Sequence, residues 1–459
     1  MNMAIILAAG QGTRMKSRKP KVLHSVCGKP MLKHVIDTVK KAGLDSCVVV
    51  VGHGGDEVKE AISEPGTVFV TQEQQLGTGH AVMMAESLLP PEGTVAVLCG
   101  DTPLIREETL RAFFRFHEQN ANCVSVMSAV VDQPYGYGRM IKSADGNLTG
   151  IVEEKDASEE EKAIREINGG IYCFEAGALS GYLSRLTAQN AQGEYYLTDI
   201  IGMAAAEGKK MGSFTVKEQE EIMGVNNRVQ LARAEAVMRK RIGEEWMLRG
   251  VTLIDPANVY IEADVEIGMD TVIYPGVILT GKTRIGEGCL VGHNSRIQDS
   301  RIDDFVTIQS STIIESTVGE KTSVGPYAYL RPGSRLGKEV KIGDFVEVKN
   351  ASIGDGSKAS HLSYVGDADV GEYVNIGCGV VFVNYDGIRK FRTTVEDHAF
   401  IGSNSNLVAP VVVESYGYVA AGTTVTMRVP GGALAVGRAK ERLIAGWGER
   451  KMKKKENES

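Results

Sequence analysis

The sequence predicts two halves of different architecture: an α/β domain with a mostly parallel sheet, followed by a parallel β-helix of hexapeptide repeats. Three observations carry this expectation. The first 225 or so residues alternate short aliphatic runs with amphipathic stretches, and from about residue 251 a six-residue aliphatic period replaces that pattern. Between the two, residues 226–249, "NNRVQLARAEAVMRKRIGEEWMLR", contain no proline and predict one long charged helix. The expected organisation is therefore residues 1–225, a helical linker at 226–250, the β-helix at 251–437 and a C-terminal tail at 438–459.

In the first half "MAIIL", "CVVVVG" and "TVAVLCGD" predict buried strands, with "MLKHVIDTVKKAG" and "GTGHAVMMAESLL" as helices between them. Strands that are apolar on both faces belong to a parallel sheet covered on both sides, and ligands of such sheets sit at the carboxyl ends of the strands. In the second half aliphatics recur every six residues in three series, at Ile261 to Ile297, Val318 to Val348 and Val395 to Val425. Glycine follows many of them, as in "IGMD", "IGEG" and "IGSN", and is expected to let the coil corners turn. Residues 379–394, "GVVFVNYDGIRKFRTT", break the period and mark a loop leaving the coils, where function concentrates. The final stretch loses the period, ends in a lysine run and reads as a solvated tail.

Composition narrows the function. A length of 459 residues exceeds one ordinary core, and 43% apolar with 24% charged residues is typical of globular protein. A net charge of −7 argues against nonspecific binding to nucleic acid or anionic membrane, so a phosphate ligand needs local basic groups. The seven cysteines are scattered singly without a C-x-x-C pair, which argues against structural zinc and a disulfide framework and fits a reducing cytosol. Neither a signal peptide nor an apolar run of spanning length is read in the chain, and a cytoplasmic protein is expected.

The stretch "LAAGQGTRM", Leu7 to Met15, lacks the third glycine of a dinucleotide fingerprint and the G-K-[ST] of a Walker loop. Arg14 and Lys21 instead place positive charge just after a glycine turn at a strand end, where exposed amides and cations can hold a triphosphate. Asp101 follows "VAVLCG", a strand end suited to a hard oxygen ligand for Mg²⁺. His361, near Tyr364, Lys349 and Arg331 on neighbouring coils, stands out in a fold that otherwise stacks aliphatics.

"LAAGQGTRM", "QLGTGHA", "GDTPL", "GYGRM", "VEEKDA", "EINGGIY" and "GVNNR" occur in that order, with "RPGS", "EVK", "HLSY" and "NYDG" on the solenoid. From Met3 to about Arg438 the chain resembles the bifunctional N-acetylglucosamine-1-phosphate uridyltransferase/glucosamine-1-phosphate acetyltransferases. The resemblance implies a Rossmann-like nucleotidyltransferase domain, a left-handed β-helix and a homotrimer with acetyl sites between subunits. It implies Leu7, Ala8, Ala9 and Gly10 along the uridine nucleotide, Gln72, Gly77 and Thr78 on the uracil and its sugar, and Gly138, Glu153 and Asn168 on N-acetylglucosamine. Arg14 and Lys21 would act on the phosphates, and Asp101 and Asn226 would bind Mg²⁺, with Asn226 also at the nucleotide. On the β-helix it implies His361 as the base, Arg331 and Lys349 on the sugar phosphate, and Tyr364 and Asn375 on the sugar. Asn384, Tyr385, Ser403, Ala421 and Arg438 would contact acetyl-CoA, as would Cys378, which stands where the family has alanine. Glu347 is a weaker candidate for orienting the amine or the histidine. Two rival readings are a nucleotidyltransferase whose β-helix only oligomerises and a regulatory subunit with a degenerate site. The coherent polar cluster on the solenoid opposes the first, and the presence of Arg14, Lys21, Asp101 and Asn226 opposes the second.

Overall fold

A computed structural model describes residues 2–44 and 46–458. The chain divides into two compact units, Met1–Ile242 and Gly243–Ser459. In the first, seven strands form one sheet in the order Met211–Thr215, Val124–Val130, Glu166–Glu175, Thr94–Cys99, Met3–Ala8, Ser46–Val51 and Thr67–Thr71. Its pairings are parallel except those of Glu166–Glu175, which runs antiparallel to both neighbours. A hairpin, Arg139–Lys142 with Leu148–Val152, attaches to that strand through Ile167 opposite Arg139.

Strand alternation explains why both faces are covered. Ala4, Ile6 and Ala8 pack with Leu32, Val35, Ile36 and Val39 of helix Met31–Lys41, while Met3 and Ile5 pack with Ala81, Val82, Leu179 and Ile200 on the opposite face. Each fully buried aliphatic contributes about 1.5–3 kcal/mol relative to leaving it in water. The expected helix over "GTGHAVMMAESLL" is shorter than predicted: it runs Thr78–Met83 and gives way to a 3-10 turn at Glu86–Leu88. Its start is fixed by backbone bonds, Gly79 N–H donating to the Tyr195 carbonyl and Tyr195 N–H to that of Leu76.

The second unit is the left-handed β-helix. Its strands stack into three parallel sheets of 11, 10 and 9. The register pairs like with like one coil apart, as in Ile267 opposite Ile285 and Ile401 opposite Val419, and these aliphatics fill the interior. Two expectations need correction. At Gly268, Gly286 and Gly402 the glycine does not turn the corner; a Cβ there would lie 2.2–2.6 Å from atoms of the next coil, so glycine allows close coil stacking. The left-handed corners fall two residues later, at Asp270, Gly288 and Asn404, and several corners carry non-glycine residues such as Phe305 and Tyr373. Exposed aromatic corners stack between coils, with His398 between Tyr373 and Tyr416 at centroid distances of 5.3 and 4.8 Å.

The break expected at 379–394 is also narrower. Phe382, six residues after Ile376, stays fully buried, and Val381–Val383 pairs with Asn406–Val408, so the excursion lies at 384–392. The helix between the halves spans Arg228–Leu248. The tail is exposed over residues 438–456 as expected, yet its last described stretch, Trp447–Glu458, is helical.

Candidate functional site

In the first unit, Leu7 lies opposite Cys99 where two parallel strands end. Their carboxyl ends open a cleft of about 250 Å³ whose walls include Leu7, Ala8, Ala9, Gly10, Lys21, Gln72, Gly77, Thr78 and Asp101. Gly12, at φ 62°, lets the loop fold over Lys21, since a Cβ there would sit 2.6 Å from the Lys21 Cβ. Gly10 is different: a Cβ on it would meet no atom within 4 Å, so this glycine borders open cleft.

Four charged or amide side chains converge at one edge. The Lys21 ammonium donates to an Asp101 carboxylate oxygen and, at 3.1 Å, to Asn226 Oδ1, which also accepts from the Arg14 guanidinium at 3.0 Å. Backbone bonds hold the partners in place. Val225 N–H donates to the Asp101 carbonyl at 2.9 Å, and Asn226 N–H donates to Gln230 Oε1 at 2.8 Å on helix Arg228–Leu248. The Lys21 and Asp101 side chains are mostly buried, which strengthens their attraction over that of a surface pair. Cys99 also lines the cleft, with its thiol pushed up to about 12 by burial, so it is a neutral wall rather than a thiolate.

Gln72 is buried, and its amide nitrogen is engaged by the Gly77 carbonyl at 3.1 Å and His80 Nδ1 at 3.0 Å. Gly77, at φ 112°, admits no side chain, because a Cβ would lie 2.6 Å from the Tyr195 carbonyl oxygen. Thr78 Oγ1 accepts the Leu197 N–H at 3.1 Å. Gly138, Glu153 and Asn168 also meet: a Cβ on Gly138 would fall 3.4 Å from Glu153 Oε2 and 3.5 Å from the Asn168 Cβ. Burial pushes the Glu153 carboxyl above its ordinary pKa. Arg139, unnoticed in the sequence, is fully buried and donates to Glu154 at 2.8 Å and to the carbonyls of Tyr137 and Lys162. It locks the turn that carries Gly138.

On the β-helix, Arg331 bonds Glu347 at 2.8 Å and Lys349 bonds Asp367 at 3.2 Å. Asp367 also accepts from Asn350 and Asn384, and Asn384 reaches the Tyr364 hydroxyl at 3.4 Å. Burial pushes the Asp367 carboxyl up, but hydrogen bonds from Asn350, Asn384 and Lys349 together bring it below its ordinary range. Thus Arg331, Glu347, Lys349, Tyr364 and Asn384 share one face, since Tyr329, Glu347 and Tyr364 lie in register. His361 and Asn375 belong to the adjacent sheet, whose strand Lys358–His361 pairs with Asn375–Ile376. His361 pairs with Asp344, its Nδ1 2.6 Å from Oδ1.

The remaining candidates separate into two groups. Cys378, Ser403 and Ala421 follow one another on successive coils: Asn404 N–H donates to the Cys378 carbonyl and Gly422 N–H to that of Ser403. Arg438 joins them by donating to the Ala421 carbonyl at 2.9 Å. Tyr385 lies instead in the 384–392 excursion, exposed, with its hydroxyl on the Gly387 carbonyl. Asp344 and Asp367 were not singled out in the sequence. Their signal was spacing: each is about one coil from a candidate, 17 residues from His361 and 18 from Lys349.

Comparison with known proteins agrees with both halves. Residues 4–162 match the MobA-like NTP transferase domain, and residues 256–353 match the GMPPB C-terminal domain. Proteins described as "Bifunctional protein GlmU" are similar across the chain. That of Clostridioides difficile is 58% identical over 451 residues, covering 98% of both chains. Those of Alkaliphilus metalliredigens and Alkaliphilus oremlandii are 55% and 58% identical over 448 residues, again covering 98% of each chain. At that identity and coverage the chain belongs to the GlmU family, the bifunctional N-acetylglucosamine-1-phosphate uridyltransferases/glucosamine-1-phosphate acetyltransferases.

Proposed function

We infer that the enzyme divides its two reactions between its two units. The β-helix transfers acetyl from acetyl-CoA to glucosamine-1-phosphate, and the α/β unit then transfers uridyl from UTP to N-acetylglucosamine-1-phosphate, releasing pyrophosphate. The observation that carries this reading is the convergence of Arg14, Lys21, Asp101 and Asn226 at the rim of the cleft.

In uridyl transfer the sugar-phosphate oxygen attacks the α-phosphorus of UTP, so two anions must approach in line. Arg14 and Lys21 bind and neutralise the phosphates. Gln72, whose amide nitrogen is already engaged, presents its Oε1 to the uracil N3–H. Gly138, Glu153 and Asn168 hold N-acetylglucosamine, while Leu7 to Gly10 and Thr78 flank the nucleotide. The residues fit Mg²⁺: an Asp101 carboxylate oxygen and Asn226 Oδ1 already share one cation, the Lys21 ammonium, and both are hard oxygen ligands. Among the described residues no group of three or more His, Cys, Asp or Glu gathers as a metal cage, which suits an ion completed by substrate phosphates. Such an ion supplies neutralisation of phosphate charge.

In acetyl transfer His361 accepts the proton that the 2-amine must lose to attack the thioester. Arg331 and Lys349 hold the sugar phosphate, with Tyr364 and Asn375 on the sugar and Glu347 orienting the Arg331 guanidinium. Asn384, Tyr385, Cys378, Ser403, Ala421 and Arg438 contact acetyl-CoA. Cys378, Ala421 and Arg438 stand exposed, so a pocket around coenzyme A needs a further wall, and a homotrimer would provide it. A cytoplasmic location fits seven cysteines scattered singly along the sequence and, among the described residues, no helix long and apolar enough to cross a membrane. The test supplies acetyl-CoA, glucosamine-1-phosphate, UTP and Mg²⁺, then omits each in turn. UDP-N-acetylglucosamine should require all four, and its formation without acetyl-CoA would overturn the scheme.

A further inference from the structure

Asp344 and His361 end two strands that are longer than their neighbours. Adjacent strands of the same sheet, such as Ser323–Val324 and Asn375–Ile376, span two residues, whereas Lys341–Asp344 and Lys358–His361 span four. The added register closes on the pair Asp344 opposite His361. Gly343 permits it, because a Cβ there would lie 1.9 Å from the Ser360 carbonyl oxygen. The backbone is fixed beyond the pair as well. Leu362 N–H donates to the Asp344 carbonyl at 2.8 Å, and Ser363 Oγ donates to the carbonyls of His361 and Gly377. An ionised carboxylate only accepts hydrogen bonds, so the 2.6 Å contact puts the proton on His361 Nδ1 and leaves the Nε2 lone pair free.

We propose that Asp344 is a positioning residue for acetyl transfer, holding His361 in the tautomer whose Nε2 takes the amine proton and steadying the imidazolium that results. This rests on the reading of His361 as the base. In the step the amine nitrogen bonds the acetyl carbon, the carbon–sulfur bond breaks, and the proton passes from the amine to Nε2 and on to the leaving thiolate. Lys341 and Lys358, opposite each other in the same strand pair, are the other charged groups on these elements, and the flanking strands offer neutral Ser323 and Asn375. The His361 side chain is 61% exposed, so the carboxylate acts through tautomer and orientation more than through a desolvated field.

The test uses the full-length enzyme. D344A should lower acetyl-transfer kcat by at least about 10- to 100-fold, the range for partners that orient a ligating histidine, with KM for glucosamine-1-phosphate changed less than about twofold. D344N keeps an oxygen that can accept from Nδ1–H and should lose less than about tenfold. The ¹⁵N shifts of the His361 ring should report the Nδ1–H tautomer in the parent and in D344N, and a mixture in D344A. In an H361A background, D344A should add nothing. An unchanged kcat in D344A, a pure Nδ1–H tautomer retained in D344A, or equal slowing by D344A with and without His361 overturns the proposal. Near-normal acetyl transfer in H361A alone would instead sink the reading of His361 as base. An unchanged denaturation midpoint of the β-helix in every variant verifies folding.

Discussion

The cleft of the α/β unit and the polar face of the β-helix, each proposed to hold a sugar phosphate, gather their charged side chains by opposite routes. In the cleft, Arg14 meets Asn226 across 212 positions of chain and Lys21 meets Asp101 across 80. On the solenoid the contacts span 16 residues for Arg331–Glu347, 17 for Asp344–His361 and 18 for Lys349–Asp367. Each of those separations is one coil. A solenoid site is therefore assembled by the repeat itself, whereas the cleft exists only once the whole sheet has ordered. The difference also sets how each site fails. Damage in a coil is passed to its neighbours, while a change at the cleft rim reaches the ligand before it reaches the core.

The largest expected effect separates the two sites outright. If Asp101 is the metal ligand proposed above, Asp101→Ala removes neutralisation worth several kcal/mol to the transition state, and uridyl transfer should fall by at least about a thousandfold. Acetyl transfer, assayed on the same preparation, should stay within about twofold. Equal loss of both activities would show that the units are not independent.

The converse change is His361→Ala, which should lower acetyl transfer by about two to four orders of magnitude and leave uridyl transfer from supplied N-acetylglucosamine-1-phosphate untouched. Raising the pH should restore part of the rate, since more amine then arrives deprotonated. Steady-state rates from pH 6 to 9 test this.

Two glycines sharpen the contrast between coil and cleft. Gly402→Ala forces a Cβ to within 2.5 Å of Ala421 N, and overpacking of this kind costs about 1–3 kcal/mol. The denaturation midpoint of the β-helix should fall, with acetyl transfer weakened beside Ala421. Gly10→Ala meets no protein atom, so it should leave stability unchanged and raise KM for UTP. A destabilised Gly10→Ala would mean that the cleft is packed more like the coils than its geometry indicates.

The smallest effect concerns acid. His117 is buried against Ser125 in the α/β unit, and burial lowers its pKa from 6.5 to about 4. The unfolded chain then takes up the proton first, so this contribution to stability is intact above about pH 6.5 and is lost as pH falls toward about 4. Limited proteolysis between pH 7 and 4.5 should cut the α/β unit with increasing ease, and His117→Gln should flatten that dependence.

Much of the solenoid was legible from the chain because its period is its structure. The aliphatic ladder within each of the three series from Ile261 to Val425 needs only six-residue spacing, and these side chains fill the interior together with small buried Ser, Thr and Ala. What spacing left out was the detail of the corners. The "IG" glycines looked like turn residues, but only stacked coils reveal that a Cβ would strike the next backbone and that the left-handed position lies two residues on. Asp344 and Asp367 were readable in principle, one coil from His361 and Lys349, but carboxylates in turns are common and nothing local distinguishes these two.

By itself, then, the sequence determined the two architectures, the helix between them and the residue types able to hold phosphate, because periodicity and strand-end chemistry are local properties. Only tertiary structure decided which side chains share an atom. Asn226 accepts from both Arg14 and Lys21, Arg139 is buried to lock the Gly138 turn, and Asp344 reaches Nδ1 of His361. Each of these depends on register and burial between segments, and a hydrogen bond is made or lost within a few tenths of an ångström.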